Sequence, residues 1–173
     1  VNIASRSAGF ISKRFNGQLA PAAADLPAIR SIQEAAGRIA ELYEAREFGK
    51  AMREIMALTD AANQYVDSVK PWELAKQEGK EVELHAACSN ALNLFRLLTV
   101  LLKPILPVVA GKVEKFLNIA PLVWADARTL LAGGHAILRD VALDISTGEH
   151  VAIVGSSGAG KSSLLGLLLG WHR

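Results

Sequence analysis

Two groups of residues carry types and spacings that could do chemistry. The first begins with Asn2 and Arg6, four residues apart in a segment that reads as a helix, so both project from one face. Arginine offers a planar fork of donors, and asparagine sets a donor beside an acceptor; these are the groups that read base edges. Lys13 and Arg14 join Arg6, so the first sixteen residues hold three basic side chains and no acidic one. That is a local positive patch able to attract phosphates, with Lys13 and Arg14 as generic backbone contacts. Trp72 follows Pro71 at a helix break. An indole held at a rigid corner is a platform for an unstacked base, worth roughly 1–3 kcal/mol per base. The residues alone leave plainer readings open: a solvated Asn/Arg pair on a helix surface, and a tryptophan that merely packs.

The second group is Gly155-Ser156-Ser157-Gly158-Ala159-Gly160-Lys161-Ser162, a Walker A pattern placed after an apolar strand and before a helix, as that motif requires. Its chemistry is phosphate binding. Gly155, Gly158 and Gly160 let backbone N–H groups curl around phosphates, Lys161 reaches the β/γ-phosphates, and Ser162 holds Mg²⁺. A working loop of this kind needs a parallel sheet covered on both faces, and two short strands cannot supply one. The expectation is therefore a vestigial ATP/Mg site with weak phosphate binding at most, and no cofactor required.

The elements that must position these groups follow from periodicity. Residues 1–15 read as a helix, and Asn16 to Pro27 as a loop punctuated by Gly17, Pro21 and Pro27. Ile32, Ala35, Ala36, Ile39, Leu42 and Tyr43 follow the three-four spacing of an amphipathic helix. Ile55, Leu58, Ala62, Tyr65, Val66 and Val69 give another, ending before Pro71. After a break centred on Pro71 and Gly79, Leu84, Cys88, Ala91, Phe95, Leu98 and Leu102 form a third long stripe. Pro104 and Pro107 stop it, and Val108 to Leu117 suggest a short further helix. Nothing up to here alternates with period two, so the fold expected over 1–137 is a mainly α, antiparallel helix bundle with short connections. From Leu138 to Ile145 the pattern alternates. Thr147-Gly148-Glu149 is a turn signal, Val151 to Val154 a buried-strand run, and a helix follows from Lys161, so 138–173 reads as a short α/β-derived tail.

Composition bounds the rest. Apolar residues make up 51% of the 173-residue chain and charged ones 21%, enough for a packed core and against disorder. A formal net charge of only +2 excludes a uniform basic coat, so any nucleic-acid contact must be local. The lone Cys88 cannot close an internal disulfide, which fits a reducing cytoplasm, and its place on an apolar stripe marks it for the core. Ala91 to Ala110 is the most hydrophobic stretch, but Arg96, Lys103, Pro104 and Pro107 interrupt it, so no membrane span is expected. His85 and His135 lack partners at ligand spacing, His150 lies in a turn, and no metal site is expected. Trp124 and Trp171 are read as packing residues. Position 1 is not Met, and a fragment of a longer protein is expected.

The blocks VNIASRSAGFISKRFNGQLA, EAREFGKAMREIMALTDAANQYVD, PWELAKQEGK, NLFRLLTVLLKPILP and VEKFLNIAPLVWADARTLLAGGHAI resemble, in order, the anticodon-binding domain of bacterial methionyl-tRNA synthetase. The resemblance covers about residues 1–137. It implies a helical bundle gripping the CAU anticodon loop of methionine tRNAs through an Asn and an Arg on the opening helix and a Trp after a Pro, positions matched here by Asn2, Arg6 and Trp72. The family activates methionine on a Rossmann-type domain with His-Ile-Gly-His-like and Lys-Met-Ser-Lys-Ser motifs. Neither motif occurs here, so no catalytic residue and no aminoacylation are expected. From Leu138 the sequence LRDVALDISTGEHVAIVGSSGAGKSSLL resembles the start of an ABC-transporter ATPase. It stops at Arg173, before the positions of a Walker B acid, a signature peptide and a switch His. The abrupt change near Ile137 suggests a fusion.

Three functions stay open at this point: an anticodon-reading module of a ligase, a nucleotide-binding fragment using Lys161, and a chimeric fold with no activity of its own. The apolar residues of the last helix, Leu164, Leu165, Leu167, Leu168 and Leu169, need cover. Packing on the bundle or self-association with a second copy is expected of them.

Overall fold

The computed structural model describes residues 2–137, with side chains from residue 4 onward. The strands, glycine-rich loop and last helix expected over 138–173, with Gly155, Gly158, Gly160, Lys161, Ser162, His150 and Trp171, lie outside the described residues.

Six α-helices follow one another among the described residues: α1 (Asn2–Arg14), α2 (Pro27–Glu44), α3 (Phe48–Val69), α4 (Pro71–Leu74), α5 (Glu81–Leu102) and α6 (Pro107–Phe116), then a 3-10 turn at Trp124–Arg128. The mainly helical bundle is the one the apolar periodicities predict. Its boundaries differ in one instructive respect. Pro27 opens α2 rather than closing the loop before it, and Pro71 opens the single turn α4 rather than leaving a gap. Pro107 likewise opens α6. Proline suits the first helical position, where its missing N–H has no intrahelical acceptor and its fixed φ is already helical.

The core divides into two clusters. One joins α2, α3 and the C-terminal half of α5 through Ile29, Ile32, Ile39, Ile55, Leu94, Leu97 and Leu101. The other joins α1, the N-terminal half of α5 and α6 through Ala8, Ile11, Leu84, Cys88, Leu92 and Leu117. α5 therefore serves both, which is why its apolar positions wrap most of its circumference. Cys88 is fully buried, and desolvation pushes its thiol up to about 12, with only a Ser7 hydrogen bond opposing the shift. Thiol reagents are expected to leave the native chain unlabelled at pH 8 and to label it once urea unfolds it. Labelling at the same rate in both states would show that Cys88 is not in the core.

α5 also buries a row of polar side chains, and these hold the extended segments. Ser89 Oγ accepts from Ala20 N at 2.8 Å and Asn90 Oδ1 from Ala23 N at 2.9 Å, fixing the loop after α1. Asn93 Oδ1 accepts from Leu131 N at 2.8 Å. Arg96 donates from Nη1 to Thr129 O at 2.8 Å and Asp126 O at 3.1 Å. Extended backbone without a sheet must find such partners. The two segments also meet each other: Gln18 and Ala136 form an isolated antiparallel bridge, with Leu19 N donating to His135 O at 2.9 Å. Gly17 takes φ 69°, and its N–H donates back to Ile11 O at 3.0 Å to close α1. A side chain at Gly133 would meet Pro21 Cγ at 2.9 Å.

Glu114 and Lys103 form a second polar clamp. The Lys103 ammonium bonds Glu114 and also Leu122 O at 2.7 Å, while Glu114 Oε1 accepts from Leu122 N at 2.8 Å. The hydrogen bond from Lys103 holds the Glu114 carboxyl below the usual carboxylate range, against the opposing effect of burial. A carboxyl whose folded pKa lies below its unfolded value of about 4.3 adds stability above that value. The contribution fades as pH falls through the folded pKa. Glu114→Gln should therefore lower the urea midpoint at pH 7, and the gap to the unsubstituted chain should narrow below about pH 4. A gap independent of pH would contradict the clamp.

Candidate nucleic-acid interface

α1 divides cleanly into two faces. Ala4, Ser7, Ala8 and Ile11 are buried against α5 and α6, while Arg6, Lys13 and Arg14 are exposed. Arg6 and Lys13 recur along the outer stripe at helical spacing; the side chain of Asn2 lies outside the described residues. None of the three described cations forms an ion pair or side-chain hydrogen bond among the described residues, and α1 contains no acid to neutralise them. Among the described residues their charge is unpaired. The C-terminal end of the helix is pinned by a stack of Phe15 on His85, ring centroids 4.0 Å apart and planes 5° apart. His85 Nε2 donates to Gln18 O at 2.8 Å, and His135 Nε2 to Leu117 O at 2.8 Å, so both histidines serve the fold. No group of three or more potential metal ligands occurs among the described residues.

Trp72 sits on α4, one residue past a tight corner. Lys70 is both the last cap of α3 and the first of α4, with φ 46° and ψ 67°. Its N–H donates to Val66 O at 2.9 Å, and its carbonyl accepts from Glu73 N at 2.8 Å. Pro71 is buried, and Leu74 and Ala75 pack into the same cluster as Ala4, Ala8 and Ile11 of α1. The helix of Arg6 and the turn of Trp72 thus both contribute to that cluster, α4 through its packing on α5. The indole itself is half-buried but belongs to neither core cluster, and it contacts no aromatic ring among the described residues. Trp124 behaves differently: it packs on the first cluster and stands edge-on to Tyr43 at 5.9 Å. One tryptophan is committed to the core; the other is held at its margin with ring surface to spare.

Sequence reasoning missed three features of the described bundle. The Phe15–His85 stack joins residues about seventy positions apart, and the cluster shared by α1, α4, α5 and α6 runs from Ala4 to Ile137, which no local pattern encodes. A concave, mostly apolar groove of about 550 Å³ also opens beside Ser5, lined by Phe95, Leu98, Leu106, Val109 and Val113 among others. It contains neither Arg6 nor Trp72. No described helix is long and apolar enough to cross a membrane.

A helical bundle of this build is shared with solved aminoacyl-tRNA synthetases. The apo Mycobacterium tuberculosis methionyl-tRNA synthetase superposes with a TM-score of 0.71 over 81% of this chain and 30% of that one, at 23% identity. The same enzyme bound by methionyl-adenylate gives 0.70 over 81% and 29%, again at 23%. These likenesses establish the fold. The family described as "Anticodon binding domain of methionyl tRNA ligase" matches residues 16–142, and the chain belongs to it. Among curated relatives, methionine–tRNA ligase of Chromobacterium violaceum is 56% identical over 133 residues, 77% of this chain and 19% of the relative. That of Thiobacillus denitrificans is 58% identical over 130 residues, 75% of this chain and 19% of the relative. The chain thus spans about a fifth of the length of these relatives. Trp72 falls inside the family match, and Asn2 and Arg6 precede it. A second description, "ABC transporter", matches residues 138–173.

Proposed function

We propose that this chain is the anticodon reader of a methionine–tRNA ligase, binding the CAU loop of methionine tRNA and carrying out no aminoacylation itself. Asn2 and Arg6 read base edges from α1, Trp72 stacks an unstacked base, and Lys13 and Arg14 neutralise the flanking backbone. The observation that carries the reading is the indole of Trp72, held half-buried at a rigid corner yet outside both cores, on a turn that shares its apolar footing with the cationic helix. Membership of the anticodon-binding family supports the same partner. The test is a titration with two stem-loop RNAs of equal length, one carrying CAU and one a changed anticodon. Tighter, salt-sensitive binding of the CAU loop is expected. Equal affinity for the two would overturn the reading.

The match of residues 138–173 to an ABC transporter description favours a second reading, nucleotide binding at Lys161 and Ser162. It predicts thermal stabilisation by Mg-ATP that Lys161→Ala abolishes. A flat melting curve in saturating Mg-ATP would dismiss it, and absence of both activities would leave a chimeric fold without function. Self-association through the apolar leucines of the tail predicts a dimer in solution that Leu165→Glu with Leu168→Glu dissociates.

A further inference from the structure

Lys70 is the residue of this corner that anticodon reading by Asn2, Arg6 and Trp72 leaves unused. It stands immediately before Pro71 and Trp72, and two residues of chain span at most about 7 Å, so the backbone positions that carry its ammonium and the indole are close. Its backbone is left-handed, at φ 46°, a conformation that glycine takes without the steric penalty a lysine incurs. Such conformations cluster at ligand clamps. Its side chain is exposed and has no ion pair or hydrogen bond among the described residues. The neighbouring lysines differ: Lys76 is paired with Glu73 and Lys80 with Glu83. An exposed ammonium, unpaired among the described residues, is thus carried on the backbone corner that leads into the ring on which a base would stack.

We infer that the Lys70 ammonium contacts a backbone phosphate of the nucleotide whose base stacks on Trp72, making the α3–α4 corner a two-point clamp on single-stranded RNA. The inference rests on the anticodon reading above. A plainer role for Lys70 is favourable placement of a cation at the C-terminus of α3. That role affects the stability of the chain and not its salt response to RNA.

Arg46 supplies a matched control. It too is an exposed cation at positive φ, 60°, without an ion pair among the described residues, and it precedes α3. The 22 residues of α3 put about 33 Å between the two corners. Lys70→Gln and Arg46→Gln remove the same charge from the chain, but only the first removes it beside Trp72. The experiment measures affinity of the full chain for the CAU stem-loop as a function of salt, for both variants and for Lys70→Gly. Lys70→Gln should lower the magnitude of the slope of log affinity against log salt by about 0.7 and weaken binding about 3- to 10-fold at low salt. Arg46→Gln should leave the slope unchanged. Lys70→Gly should lower the slope as Lys70→Gln does while holding or raising the melting temperature. An unchanged slope for Lys70→Gln, or an equal drop for Arg46→Gln, overturns the clamp. If the unsubstituted chain does not prefer CAU, the anticodon reading fails and the clamp with it. If it prefers CAU and the Lys70 slope is unchanged, only the clamp fails.

Discussion

Trp72→Ala should weaken binding of the CAU stem-loop by about tenfold to a hundredfold, the range that loss of one base–aromatic stack produces. The indole joins neither apolar cluster, so the same change should move the urea midpoint little. Trp72→Phe retains a ring face and should recover most of the affinity. These outcomes separate a base platform from a packing residue. A packing tryptophan would cost stability on truncation, and its effect on RNA would be equal for CAU and changed anticodons. The buried Pro71 and the backbone hydrogen bonds at Lys70 matter here because they set the turn that carries the ring before RNA arrives. A preset platform needs little ordering on binding, so more of the stacking energy appears as affinity.

Arg96→Met should destabilise the chain by about 3–5 kcal/mol, the usual consequence of removing one partner of a buried charged network. Arg96 is only 5% exposed, and its guanidinium satisfies Asp126 O, Thr129 O and Thr129 Oγ1 while facing the Asp126 carboxylate at 3.7 Å. Burial draws its pKa down, and Asp126 offsets part of that. Methionine fills similar volume but leaves Thr129 O without its Arg96 donor and the Asp126 carboxylate without its cation, while Asp126 O keeps the donors of Thr129. Arg96→Lys should rescue poorly, because one ammonium cannot reproduce the fork that spans Asp126 and Thr129. The structural consequence reaches α1. Segment 129–137 is tied to α5 by Arg96 and Asn93, and it carries Ala136, the bridge partner of Gln18 just past α1. Urea unfolding measures the loss. A change below 1 kcal/mol would mean that Arg96 is solvated rather than clamped.

How much of this was legible beforehand follows from the physics of each feature. The long helices were, because a buried stripe at period 3.6 repeats many times within Ile32–Tyr43, Ile55–Val69 and Leu84–Leu102. The four-residue α4 was not, being shorter than any window in which a period can be counted, and Pro71 read as a stop rather than a start. Arg96 read as a charge interrupting an apolar run, because its acceptors lie some thirty residues away in a 3-10 turn. Ser89, Asn90 and Asn93 carried no signal at all, since a buried polar residue is explained only by its partner. At the candidate site, residue types pointed to Arg6 and Trp72, and resemblance supplied their joint role. The cluster to which Ala8 and Ile11 of α1 and Leu74 and Ala75 of the α4 turn all contribute is tertiary and emerges only from the folded chain.

A double-mutant cycle on CAU stem-loop binding probes the central claim, with the chain unchanged and with Arg6→Ala, Trp72→Ala and both. If guanidinium and indole grip the same few nucleotides, each single change weakens binding and the double change costs less than their sum, by about 0.5 kcal/mol or more. Strict additivity, or single changes that weaken CAU and altered loops alike, would contradict a shared anticodon grip.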